Sequence, residues 1–420
     1  MTSKESRILV VGAGVFGLTL ALELKKRGYQ HITVLDRHAP PVPDGSSVDI
    51  SRIVRADYAD AHYMRMGMEA EAAWREEYSA FYRNSGILIT AQSKDHPYVT
   101  QTRALLEQQR AAMTVYEDNR DLGRLGFGGK LDRLSGYSRP AGGWVDAEGS
   151  IRQLAQHCVD AGVVFVTGPA GVVKSLIIVK EEVKGVQLAS GEGLLAEQVM
   201  LATGAWTTQL VDLSFSAVGT CHPVGFIQLN PDEVEEMKDL PIAINLTTGF
   251  FVFPPTEDTL LLKFARHGYG FESRQPGPKA DEVSSPRIES NGVVADFLPA
   301  DAEAALRDGL RLFHSTSIAE RPFDKKRMCW YTDTPHGDFI VDHHTTLKNL
   351  FLATGGSGHA FKFLPVLGRY TADVFERTAS QELRDKWALK PGDKSVLLHG
   401  DGSRGGPPRR VLETWEQARI

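Results

Sequence analysis

Cysteine is scarce. The 420 residues contain three, Cys158, Cys221 and Cys329. With no C-x-x-C spacing they exclude a disulfide-stapled secreted module and a zinc ribbon, and they fit a reducing compartment. No run of about 18 apolar residues occurs, so no bilayer-spanning helix is expected. The opening MTSKES passes directly into the apolar RILVVGAG. No secretory leader fits in front of it, and a cytoplasmic or peroxisomal protein is expected rather than a secreted one. The terminal Ala418-Arg419-Ile420 loosely resembles a peroxisomal address of the S-K-L kind; the alternative is a frayed polar tail.

Neither sign of charge dominates: 47 basic and 53 acidic residues leave a formal net charge of -6. Without a basic stripe, no nucleic-acid partner is expected. A P-loop and a Ser-His-Asp nucleophile elbow are both missing. His336, His343 and His344 have no ligand spacing with nearby carboxylates, so no metal is expected. Nothing repeats internally, no coiled-coil pattern is present, and a monomer is expected.

What is present begins at the N-terminus. ILVV is a short continuous apolar run, as expected of a buried parallel strand. A glycine-rich turn follows, then a helix over LTLALELKKRG with basic residues at its C-terminal end and Gly28 as a cap. HITVLD is the second strand. Gly12-Ala13-Gly14-Val15-Phe16-Gly17 is therefore a G-x-G-x-x-G in the context that gives it meaning. Gly12 permits the tight turn, Gly14 lets backbone approach a pyrophosphate at the helix N-terminus, and Gly17 permits close helix–sheet packing. Asp36, ending the second strand, is placed to accept hydrogen bonds from a ribose, and argues against a 2′-phosphate.

Farther along, helices are expected at Met64–Tyr78, Gln101–Ala112, Glu303–Phe313 and Tyr370–Ser380. Strands are expected across residues 163–204, within Gly249–Ala265, and at Asn349–Ala353. Glu272–Ser290 reads as a surface loop, and the chain from about Pro391 onward as loop or extended. Cys158 falls on a helix and Cys221 in a loop or at a strand edge; both read as structural. The pattern is α/β. A nucleotide-binding domain is assembled from separated pieces, 1–85, 145–215 and 325–395. A β-rich substrate domain of α+β type comprises 86–144 and 216–324, and 396–420 form an extended C-terminal tail.

Three segments carry a resemblance. GSSVDISRIVR (residues 45–55), RMCWYTDTPHGDFIVD (327–342) and ATGGSGHAFKFLPVLG (353–368) resemble the sarcosine-oxidase family of flavoenzymes, nearest its fungal branch of saccharopine and pipecolate oxidases and fructosyl amino acid oxidases. The likeness runs from Ile8 to about Lys390 and is weak over 85–140 and 270–320. It implies a Rossmann-like FAD-binding domain and an amine oxidase acting on a small-molecule amino acid substrate with O2 as acceptor.

In that resemblance Cys329 matches the cysteine bonded through sulfur to the 8α-methyl of FAD. Lys325, Lys326 and Arg327 favour the thiolate that such a bond needs; a buried structural cysteine is the alternative. Arg52 and Lys362 match the pair holding the substrate carboxylate, a task that suits a guanidinium. Arg55 is expected as a structural or FAD-contacting partner. Lys263, in LLLKFARHG, matches the lysine that promotes reaction with O2, where a fixed cation stabilises superoxide.

The backbone around Gly355–His359, including Gly356, Gly358 and His359, is expected to face the pyrimidine edge of the flavin. Arg37, Ser46, Ser51, Arg52 and Lys362 complete the expected cofactor contacts. Trp206 reads as packing and His267 as a pocket or surface histidine. No catalytic base stands out, as suits binding of the free amine and hydride loss to flavin.

Ser51-Arg52-Ile53-Val54-Arg55 follows the sarcosine, pipecolate and saccharopine pattern rather than the Asn-Asp-to-Lys segment of amadoriases. The leading expectation is therefore oxidation of a secondary amine on an amino acid to an imine, with H2O2 released. The alternatives are a fructosyl amino acid oxidase, a biosynthetic-cluster oxidase of an N-methyl amino acid or carrier-bound amine, and a non-enzymatic flavoprotein.

Overall fold

The computed structural model describes residues 2–279, 281–287, 294–392 and 400–420. Its first element is the strand Arg7–Val11, whose side chains alternate between two cores. Ile8 and Val10 join one with helical residues such as Leu18 and Ala21, while Leu9 and Val11 join another with Leu35, Val186 and Leu201. A strand buried on both faces has no polar side, hence the unbroken apolar run.

This strand lies inside a six-stranded sheet. Its order is Ile340–His343, Leu350–Thr354, Gln198–Leu201, Arg7–Val11, His31–Asp36 and Val164–Thr167. All neighbours are parallel except the Ile340–His343 edge. Helices Val15–Lys26, Ala147–Asp160 and Leu364–Phe375 cover one face, and the small sheet of Val173–Val179, Glu182–Leu188 and Gly193–Leu195 covers the other. The last of these helices starts earlier than the expected Tyr370, with Pro365 in its first turn, where a missing N–H costs nothing.

A ten-stranded sheet forms the second layer. Val218–Gln228 is its spine, paired antiparallel with Leu261–Arg266 on one side and Lys325–Asp333 on the other. The helix Ala300–Phe313 buries Leu306, Leu310 and Phe313 in the core behind this sheet.

The structure differs from the sequence reading in several places. Cys221 is fully buried inside the spine strand, opposite Trp330 and Phe271, rather than at an edge. Lys325–Asp333 pairs along its whole length with the large sheet, although it was expected on the nucleotide side. The expected loop Glu272–Ser290 contains the hairpin Arg274–Pro276 and Glu282–Ser284; of that stretch, 280 and 288–290 lie outside the described residues.

The C-terminal segment is also more than a tail; 393–399 lie outside the described residues. Arg410–Val411 adds a parallel strand beside Phe271–Glu272, and Ser403 and Arg404 are buried. Ile420 packs against the core of the large sheet. Pairing across more than a hundred residues leaves no local periodicity to read. Among the described residues no helix is long and apolar enough to cross a membrane.

The glycine turn sets one tight tolerance. A Cβ on Gly17 would stand 1.9 Å from the Gly12 carbonyl oxygen and 3.3 Å from Ala202 Cβ. Gly17→Ala must therefore push the helix off the sheet. Its expected outcome is a thermal midpoint lowered by several degrees, from an overpacking cost of about 1–3 kcal/mol, together with sub-stoichiometric FAD in the purified protein, read by calorimetry and absorbance.

Candidate active site

One long cavity runs from the glycine turn to the large sheet, lined by Gly12, Gly14, Val15, Phe16, Asp36 and Arg37 at one end and by Lys263, His267, Cys329 and Lys362 farther in. At the turn, Gly12 has φ +110° and lies against the Ala202 carbonyl. The Val15 N–H donates to Ser47 Oγ at 3.0 Å, so Ser47 faces the first turn of the helix. Asp36 accepts from the Ala13 N–H at 2.7 Å, and burial raises its carboxyl pKa. Arg37 pairs with Asp44 and stacks 4.5 Å from the Trp206 ring centroid, so Trp206 belongs to the cavity wall rather than to packing alone.

The inner wall follows from the two-residue pleat of the sheet. Lys263, Ala265 and the adjoining His267 alternate with Leu262 and Phe264, and only the first set lines the cavity. Opposite them His222, Val224 and Cys329 face inward, while Cys221, Met328 and Trp330 fill the core behind. Burial pushes the Cys158 thiol up to about 12 and raises that of Cys221 as well. Cys329 differs in its surroundings: Arg52 Nη2 and Arg327 Nη2 each approach its Sγ to 3.7 Å.

These guanidinium groups belong to a cluster around Asp49, which sequence reasoning missed. Asp49 is buried, and its carboxylate meets Arg52 Nη1, Lys263 Nζ at 2.8 Å and Arg327 Nη2 at 3.5 Å. Burial alone would raise its pKa, but the three cations hold it far below the usual carboxylate range. Lys263 Nζ also donates to the Ser51 carbonyl at 2.6 Å. Burial pushes its ammonium down to about 7, against the pull of Asp49 and with Arg52 and Arg327 adding to the fall. Ser46 bonds the Trp330 carbonyl through its hydroxyl, and its own carbonyl accepts from Arg52 at 2.9 Å. The only sequence signal for the cluster was an acid three residues before Arg52.

The structure does not bring Arg52 to Lys362. Its donors are taken by Asp49 and by the carbonyls of Ser46, Val48 and Ser51. Arg55 is the arginine beside Lys362. The Arg55 guanidinium carbon lies 5.0 Å from the Tyr58 ring centroid and Lys362 Nζ 5.2 Å from the same ring. Arg55 reaches Tyr98 Oη at 3.3 Å, and Lys362 donates to Tyr58 Oη at 2.8 Å and to the His359 carbonyl at 2.9 Å. Among the described residues neither forms an ion pair within 4 Å. Lys362 lies in the short turn Phe361–Phe363 before the helix, and its ammonium is pushed well below its ordinary value by burial and then by Arg55.

Gly358, at φ +73°, leaves room for Tyr331, whose ring a Cβ there would meet at 2.3 Å. Gly356 packs against Phe16 in the same way. Both ring nitrogens of His359 are engaged, Nδ1 by Tyr58 Oη at 2.9 Å and Nε2 by the Gly337 carbonyl at 2.7 Å. Since Nε2 must donate to a carbonyl, Nδ1 accepts from Tyr58, and burial pushes the ring pKa down to about 3. The C-terminal segment closes this end, with Arg404 bonded to Asp333 at 2.5 Å and to the Gly268 and Ser357 carbonyls.

Comparison with known proteins agrees with this geometry. The model of the FAD dependent oxidoreductase family (DAO) matches residues 7–374. L-saccharopine oxidase of Schizosaccharomyces pombe is 32% identical over 415 residues, covering 93% of this chain and 94% of that protein. Amino acid oxidase fsqB of Aspergillus fumigatus is 29% identical over 481 residues, covering 93% and 94%. Among solved structures, the fructosamine oxidase Amadoriase II of Aspergillus fumigatus superposes with a TM-score of 0.88 at 26% identity, covering 98% of this chain and 96% of that one. On the reach of the family model and the near-complete cover of its relatives, the chain belongs to the FAD-dependent oxidoreductase family.

Proposed function

We propose that the chain oxidises the carbon beside a secondary amine of an amino acid, giving an imine and H2O2. The observation that carries this reading is the pair Arg55 and Lys362, two buried basic groups lining the cavity with no carboxylate within 4 Å among the described residues, Asp57 and Asp401 acting on them only from farther away. Buried charges of one sign call for an opposite charge from elsewhere. A substrate carboxylate supplies it, and its relatives include proteins named as saccharopine, amino acid and sarcosine oxidases.

The residues present fit FAD. Gly12 and Gly14 leave the backbone clear for a pyrophosphate, and the cavity continues from there to Cys329. Bound FAD supplies the hydride acceptor and, on reaction with O2, the electrons for peroxide. Cys329, with the Arg52 and Arg327 guanidinium groups each 3.7 Å from its sulfur, is the attachment point for the flavin 8α-methyl. Arg55 and Lys362 fix the carboxylate and so set where the adjoining C–H lies. Tyr58 passes a hydrogen bond from Lys362 to His359, which holds the ammonium in place. Lys263 is the cation that favours reduction of O2. Arg52 positions Asp49 and Cys329 rather than binding substrate.

A fructosyl amino acid is the second reading, favoured by the fold likeness to the fructosamine oxidase. One panel separates the two. Peroxide release is expected with pipecolate, sarcosine or saccharopine in preference to fructosyl-valine. Arg55→Met is expected to raise the half-saturating amino acid concentration about 10- to 100-fold, the size of one charge-assisted hydrogen bond, while Arg52→Lys lowers flavin content instead. Wild-type protein releasing no peroxide with any member would end the proposal.

Two further outcomes follow. After acid denaturation the flavin is expected to remain on the wild-type polypeptide and to separate from Cys329→Ala; free flavin from the wild type would remove the covalent assignment. Because the Lys263 ammonium loses its proton above about 7, flavin reoxidation by O2 is expected to slow as pH rises through that value. Lys263→Met is expected to be slower by about a hundredfold, as when one charge-stabilising donor is removed, and independent of pH over that range. Equal slowing of anaerobic flavin reduction would refute the role.

A further inference from the structure

His267 follows the strand that carries Lys263 and points the same way, four residues on. Its backbone N–H donates to the Gly249 carbonyl at 2.7 Å, which extends the sheet by one residue. Its ring meets the C-terminal segment: Nε2 lies 3.1 Å from Ser403 Oγ. Ser403 is 2% exposed and lines the cavity. Its hydroxyl donates to Asp401 Oδ1 at 2.5 Å, and its backbone N–H donates to the same oxygen at 3.0 Å.

Donor counting then settles the histidine. A serine hydroxyl has one proton, and Asp401 takes it. The two Ser403 hydrogen bonds and the Arg55 guanidinium hold Asp401 ionised against the cost of its burial. Ser403 Oγ can therefore only accept from His267, so Nε2 carries the ring proton. Nδ1 is left as a lone pair, with no hydrogen-bond partner among the described residues. A second proton is opposed first by burial, then by Arg404, His222, Arg55 and His359. Tyr331 flanks the ring at 5.8 Å between centroids, and Asp333 is already engaged by Arg404.

We propose that the C-terminal segment is a positioning device: Asp401 and Ser403 lock His267 as the neutral Nε2–H tautomer, and its Nδ1 accepts the single N–H of a secondary amine. The inference rests on the reading under Proposed function and deepens it. A secondary amine in its free-base form has one N–H and one lone pair. With the carboxylate held by Arg55 and Lys362, an acceptor for the N–H fixes rotation about the C–N bond and so the direction of the lone pair. Hydride can leave the neighbouring carbon only when that lone pair is aligned to form the C=N bond. The contact is a hydrogen bond and moves no proton. A neutral acceptor among cations favours the free-base amine, whereas a carboxylate there would stabilise the ammonium, which has no lone pair to form the C=N bond.

The test uses the holoenzyme and two readouts. With the amino acid of the panel that reduces the flavin best, Ser403→Ala is expected to raise the half-saturating concentration for anaerobic reduction about tenfold. The affinity for that amino acid's oxygen isostere, which lacks the N–H and is followed by flavin absorbance, is expected to stay unchanged. Ser403→Thr should restore the half-saturating concentration of the amino acid and likewise leave the isostere unchanged. Equal weakening of both ligands, or of neither, would overturn the proposal. Independently of turnover, nitrogen-15 NMR of histidine-labelled protein is expected to show His267 as Nε2–H in the wild type. A shift toward Nδ1–H is expected in Asp401→Asn, whose amide can donate to Ser403 and turn the hydroxyl proton to the ring. A wild-type ring protonated at Nδ1 would overturn the inference even if no secondary amino acid reduced the flavin, an outcome that would separately end the functional reading.

Discussion

A carboxylate buried among three cations organises the inner half of this molecule. Asp49 meets Arg52, Lys263 and Arg327, which come from three separate stretches of chain. Burying any one of these charges alone would cost several kcal/mol. Together they hold one another, and the carbonyls of Ser46, Val48 and Ser51 accept further donors from Arg52, Lys263 and Arg327. The cluster still carries more positive than negative charge. That excess is turned toward the Cys329 sulfur and the cavity, where it would favour an anionic form of a bound cofactor. The segment 45–55 is therefore tied down by electrostatics as well as by the packing of Ile50, Ile53 and Val54.

The sheet supplies the second constraint. Alternation along Leu261–Arg266 and Lys325–Asp333 sends one set of side chains into the cavity and the next into the core. Register then decides which functional groups are neighbours: His222 is directly opposite Cys329, and Phe226 opposite Lys263. A slip of one residue would exchange the cavity set for Leu262, Phe264, Met328 and Trp330. The large apolar side chains behind the sheet are thus what keep the charged ones in front of it.

Much of this was legible in the sequence where chemistry is local. The first strand, glycine turn and helix carry their signals within thirty residues of sequence, although they also pack on Gln198–Leu201, Ala202 and Leu364–Phe375, and HITVLD is a strand over its full length. Lys263, Cys329 and Lys362 lie in segments whose motif could be matched, and all three line the cavity. The two arginines were harder. Arg52 lies in the strand Arg52–Val54 and Arg55 just beyond it. In extended chain a separation of three places two side chains on opposite sides, so only one of them can reach Lys362. Nothing within GSSVDISRIVR says which. The C-terminal segment was harder still. Arg404 meets Asp333 across 71 residues, and Ser403 meets His267 across 136. Gly- and Pro-rich composition predicts only that such a segment forms neither helix nor long strand.

Comparing the two groups of buried cations explains why the arginines divide their work. Arg52 has a permanent counter-ion in Asp49, so its position does not depend on what occupies the cavity. Arg55 bonds the hydroxyl of Tyr98 and lies on the face of Tyr58, Lys362 bonds a hydroxyl and a carbonyl, and among the described residues no carboxylate comes within 4 Å of either, Asp57 and Asp401 acting from farther away. A cation whose charge is already matched gains little from a second carboxylate, whereas an unmatched pair recovers part of its desolvation cost when one arrives. On the proposed reading, the permanent ion cluster holds the cofactor and the oxygen-facing lysine, and the unmatched pair is left for the substrate. The affinity of such a site comes from the cost of keeping Arg55 and Lys362 buried without a partner, and that cost is sustained by the aromatic wall of Tyr58, Tyr98 and Phe363 around them.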